Sequence, residues 1–188
     1  MTLSLPDSGE IITDEKQLIT ISWFTFFQDV WKAIRGGLGI SLGGTISTNT
    51  TAAGNSGSGE TTTMTYAVTP MPSNGDEISV KAWGTYAANA NNKTIKLKFG
   101  GQTILTTGAI AANAGSWQVE ATIIRTAAAT QEIIATIISS NTSVVESATR
   151  TAGTQDLTAS NDLIITAQGT SSDDITQNAM VVKLTPID

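Results

Sequence analysis

Histidine and cysteine are both absent from the sequence. Neither a Ser-His-Asp nor a Cys-His arrangement can form, and no thiolate is available as nucleophile or metal ligand. What remains for chemistry is carboxylate: Asp7, Glu10, Glu60, Asp76, Glu77, Glu120, Glu132 and Glu146. Glycoside cleavage needs two carboxyl groups facing one another across a sugar. The spacing argues against it, because Glu120 and Glu132 fall on the polar faces of alternating segments and the others lie at turns or segment ends. No groove of aromatics accompanies them, so the reading assigns no catalytic residue and no cofactor.

Two further clusters have a chemical and a structural reading. Asp173-Asp174, with Asp156 or Asp162, offers the oxygen ligands that Ca²⁺ prefers, but the spacing matches no EF-hand loop and a solvated acidic turn is the favoured reading. Gly36, Gly37, Gly39, Gly43 and Gly44 follow a helical pattern instead of linking a strand to one, so they are read as hinge and turn glycines and not as a phosphate cradle. No metal site is assigned.

Trp83, Tyr86 and Trp117 are the aromatics able to stack on a sugar. Trp117 heads an alternating apolar face and is expected in the core. Ile78, Val80 and Ala82 occupy one face of their strand, which leaves Trp83 on the other with Lys81. That face is expected to be a subunit interface in preference to a receptor-facing patch, and Trp83 and Tyr86 are the candidate contacts.

The elements that must hold these residues fall into three patterns. Over 14–36, Leu18, Trp23, Phe24, Phe27, Val30, Trp31 and Ile34 recur by threes and fours, as one face of a helix requires. Thr13 or Asp14 can cap its start and Gly36-Gly37 its end. Exposed rings at Trp23, Phe24, Phe27 and Trp31 would need a partner, so this helix is read as an anchoring and oligomerisation element. Residues 1–13 are read as a docking arm in which Leu3, Leu5 and Pro6 make the contact. Residues 37–61, with Gly54-Asn55-Ser56-Gly57-Ser58-Gly59, read as a linker by composition.

From 62 to 188, period-two runs recur between turn signals. Met64, Tyr66 and Val68 form one, Ile78, Val80 and Ala82 a second, and Ile95, Leu97 and Phe99 a third. Gly100-Gly101 offers a tight hairpin into Gln102 to Thr106, and Trp117, Val119, Ala121 and Ile123 alternate along a further strand. Glu132 to Ser139, Ser143 to Ala148, Asp162 to Gln168 and Asn178 to Leu184 continue the series. The expected fold is mainly β, an antiparallel, jelly-roll-like β-sandwich of roughly eight strands preceded by one N-terminal α-helix.

Here the residues carry a resemblance. Ser22 to Trp31 (SWFTFFQDVW) resembles an aromatic helix near the N-terminus of many small structural proteins of tailed bacteriophages. Asp76 to Gly101 and Gly115 to Arg125 are similar to a sandwich domain at the C-terminal end of phage fibre-like proteins. The resemblance implies a homotrimeric appendage of the virion, made in the bacterial host cytoplasm, with its N-terminal segment on capsid or tail proteins and its sandwich outward. It brings no catalytic residues. A head-fibre or capsid decoration protein shares the architecture, and a module that binds a receptor or host surface glycan is the other alternative.

Composition narrows the partners. The 188 residues carry a net charge of −6, so phosphate backbones and anionic lipid heads are not expected as partners. No secretory signal is apparent near Met1 and no run approaches bilayer-spanning length, so no membrane partner is expected. Small polar residues and Gly with a 40% hydrophobic share suit strands and turns. Flat Ala, Ser and Thr-rich segments at Ala127 to Thr130 and Thr149 to Thr154 are expected to let sister subunits approach.

Overall fold

The structure is a computed structural model and describes residues 26, 27, 30, 43–140 and 147–187. Phe26, Phe27 and Val30 are helical, and the rest of the expected helix over 14–36 lies outside the described residues.

The body beginning at Gly43 is built of antiparallel strands. They are β1 (Gly44–Asn49), β2 (Ala53–Gly54), β3 (Thr61–Val68), β4 (Glu77–Tyr86), β5 (Asn92–Phe99) and β6 (Gln102–Thr106), then β7 (Ile110–Ala111), β8 (Ser116–Ala127), β9 (Thr130–Ser140), β10 (Ser147–Gly153), β11 (Asn161–Gln168) and β12 (Ile175–Thr185). The larger sheet runs β1-β12-β4-β8-β9-β10, with β2 also on β12. The smaller runs β3-β11-β5-β6, with β7 on β5. One hydrophobic cluster draws on both: Ile78, Val80, Trp117, Val119, Ile133 and Ile137 from the larger, Ile95, Leu97, Phe99, Leu163 and Ile165 from the smaller. Trp117 is in this core, where its alternation placed it.

The hairpin at Gly100-Gly101 forms as expected. Both glycines have positive φ, 54° and 85°, which the two-residue turn joining β5 to β6 favours. Two other expectations are corrected. The described part of the expected linker over 37–61 carries β1 and β2 and buries Asn55. Its glycines allow close approach: a Cβ on Gly54 would lie 1.9 Å from Asp173 Oδ1. Ala127 to Thr130, expected as a flat face, closes the β8–β9 hairpin instead. Of the strand expected over Ser143 to Ala148, residues 147–148 open β10, which runs on to Gly153, and 143–146 lie outside the described residues.

Candidate interaction face

Alternation along β4, β8 and β9 sends every second side chain away from the core. On β4, Ile78, Val80 and Ala82 are buried while Lys81 and Trp83 are exposed. Three isoleucine doublets do the same within one step of chain. Ile123, Ile133 and Ile137 are buried, whereas Ile124, Ile134 and Ile138 are 37%, 50% and 42% exposed.

Register assembles these into one face. Trp83, 37% exposed, pairs with Gln118, and Gln118 pairs with Ile138 on its other side. Thr122 lies between Ser79 and Ile134, Ile134 pairs with Arg150, and Ile124 pairs with Glu132. Shallow grooves flank Trp83, one lined by Ser116, Gln118, Ile138 and Ser140, the other by Ser79, Glu120, Thr122, Val181 and Lys183. Two ion pairs lie across the strands, Lys81–Glu120 at 2.8 Å and Arg150–Glu132 at 2.7 Å. Beneath Trp83's neighbour, Gly84 leaves room for the Trp117 indole: a Cβ there would lie 2.7 Å from Trp117 Cζ2 and 1.9 Å from the Thr176 carbonyl.

Tyr86 is not part of this face. It is buried, because even-numbered β4 positions point inward; burial also raises its phenol pKa. Among the expected anchoring residues, Phe27 is described, helical and half-exposed, its ring 5.7 Å from that of Phe26. Leu3, Leu5, Pro6, Trp23, Phe24, Trp31 and Ile34 lie outside the described residues.

The acidic cluster is corrected as well. Asp156 precedes β11 and Asp174 follows it, so an eight-residue strand of about 26 Å separates them. Asp174 is buried, not solvated. It accepts the backbone N–H groups of Thr170 and Ser171 at 2.8 and 2.7 Å and the carboxamides of Asn89 and Asn91 at 2.7 and 3.0 Å. Burial pushes its pKa up, but these donors, Ser171 first, hold the carboxyl down at about 2. N–H donors occupy both carboxylate oxygens, the surroundings that an anion needs and that compete with a cation for its lone pairs. Among the described residues no three acidic side chains gather to hold a metal.

Beside it Lys93 is fully buried, its ammonium donating to Asn89 O and Oδ1, Asn91 O and Ala112 O at 2.7 to 3.1 Å. Burial lowers its pKa and the Asp174 charge opposes this. The same end holds Asn55, whose carboxamide donates to Gly57 O and Ser171 O and accepts from Ile175 N. These groups satisfy one another and fix the loops, a structural use of polar residues.

Two further carboxylates among the described residues are likewise engaged. Asp76 accepts from Ser73 N at 2.8 Å and Ile187 N at 3.1 Å, tying a turn to the chain beyond β12. Glu60 pairs with Lys96 at 2.5 Å and with Lys98. Those two lysines hold its carboxyl well below the usual 4.5, at about 2. Sequence patterning alone passes over the outward isoleucines and Lys93, and it places Asn55 in a linker and Asp174 in a solvated turn instead of in one network.

No family model matches this chain, and no curated protein or solved structure is significantly similar to it.

Proposed function

We propose that the chain is a non-enzymatic structural protein of a tailed-bacteriophage virion, a subunit of an oligomeric, trimeric fibre or spike. In this reading the N-terminal region anchors it to capsid or tail and the β domain projects outward. The observation that carries the reading is the outer face of the larger sheet, where Trp83, Ile124, Ile134 and Ile138 stand in water. Such a patch belongs to a protein that assembles. The engagement of Glu60, Asp76, Glu120, Glu132 and Asp174 in pairs and turns supports binding over catalysis. The phage assignment rests on the sequence resemblance.

A core drawn from both sheets supports packing them as a jelly-roll-like sandwich. The periodicity over 14–36, with helical Phe26, Phe27 and Val30, supports an N-terminal helix. A glycan-binding module is the second reading, favoured by Trp83 beside Gln118 and Ser116. The aliphatic side chains around them suit a protein surface better than a sugar.

Mass spectrometry and a side-chain-resolution reconstruction of purified particles test the reading. The expected result is the chain at a capsid or tail symmetry axis. Its absence from the particle overturns the assignment.

A further inference from the structure

We infer that the outward face of the larger sheet from β12 to β10 is covered by a second copy of this chain, an inference that rests on the oligomeric reading above.

The two sheets differ in what they show to water. Among the described residues from Gly43 on, the exposed large hydrophobics are Trp83, Ile124, Ile134, Ile138 and Ile187. Four of the five lie on the larger sheet. The smaller sheet instead carries the Glu60–Lys96–Lys98 cluster and threonines on its outward side. A monomer would expose both faces to the same solvent, with no reason to load one with isoleucine.

Charge selects the partner. The chain as a whole is strongly acidic, and two copies meeting through an acidic surface would repel one another. This face is balanced: Lys81, Lys183 and Arg150 against Glu77, Glu120 and Glu132. Lys81–Glu120 and Arg150–Glu132 are already paired within the chain, so contact strands no lone charge there. A face carrying both signs in equal number can meet another copy without net repulsion, in the head-to-tail contacts that close a ring of three as in a two-fold pair. A strongly basic or acidic partner gains nothing from it.

Size is consistent. Five strands about 4.8 Å apart and about ten residues long present roughly 20 by 33 Å, close to the ~800 Å² per partner of a stable interface. Branched isoleucines lose little side-chain entropy when covered.

The absence of native cysteine makes the test direct. Ile134→Cys places one thiol on the face and Thr65→Cys one on the exposed side of β3, with Ile138→Cys in reserve should Ile134→Cys fail to give the native near-ultraviolet dichroism. Maleimide labelling rates of the full chain are measured from nanomolar to tens of micromolar, alongside molar mass. The expected result is labelling at Ile134→Cys about tenfold slower than at Thr65→Cys when assembled, the factor for a face covered nine-tenths of the time, with protection lost on dilution. Equal rates in a chain that still assembles overturn this inference and leave the oligomeric reading standing. Protection that persists in a chain whose molar mass is that of one copy places the cover within one chain and also overturns it. A chain that stays monomeric throughout overturns both.

Discussion

Ile133 and Ile134 are consecutive on β9, yet the first is 2% exposed and the second 50%. Ile137 and Ile138 repeat the relationship, as do Ile123 and Ile124 on β8. In each doublet one side chain completes the core and the other adds apolar surface outside. Fully burying such a side chain is worth about 1.5–3 kcal/mol, and at three positions about half of that gain waits on something to cover them.

Replacing the outer members should therefore break assembly and spare the fold. Ile134→Glu with Ile138→Glu removes two covered side chains and introduces charge, and association should weaken at least ~100-fold, about 3 kcal/mol. Outward strand positions tolerate charge, so near-ultraviolet dichroism should remain native. Sedimentation across a concentration series checks both.

Asn55→Ala should destabilise the domain by about 2–4 kcal/mol, because it leaves the buried Ile175 N–H and Ser171 carbonyl without their partner. For a chain of this size that lowers the melting temperature by roughly 5–15 °C, measured calorimetrically at fixed protein concentration.

Acid should weaken the fold in a defined window. Glu60 and Asp174 both titrate at about 2 in the folded chain, below their ordinary 4.5 and 3.8. Folded pKa values below the unfolded ones mean stabilisation present above the ordinary range and lost as pH falls toward 2. Melting temperature should drop from about pH 4.5 downward, and the drop should be shallower in Glu60→Gln. An unchanged slope in that variant would show that Glu60 does not contribute.

Gly84→Ala should be costly although it adds one methyl group. Its Cβ would meet the Thr176 carbonyl and the Trp117 indole, and β4, β12 and Trp117 must all shift. A loss of about 3 kcal/mol or more is expected, with a changed Trp117 fluorescence maximum.

Much of the β pattern was legible because strand parity is local. The runs at Ile78, Ile95 and Trp117 mark β4, β5 and β8, and Gly100-Gly101 marks the β5–β6 hairpin turn. Parity also carried information that went unused: Tyr86 shares the inward register of Ala82, Lys93 shares that of Ile95, and each isoleucine doublet must place one member outside. The network at Asn55 was illegible for another reason. Gly, Ser and Asn make both linkers and tight turns, and the partner that decides between them, Ile175, is 120 residues away. Asp174 was read as solvated because nothing near it in sequence announces the donors at Asn89 and Asn91.

The most direct measurement is the molar mass of the full chain in solution by light scattering across a concentration series. The account predicts a small whole-number multiple of 19.5 kDa, three for the proposed trimer, falling toward one copy on dilution or on substitution of Ile134 and Ile138. A mass of 19.5 kDa at every concentration would contradict it.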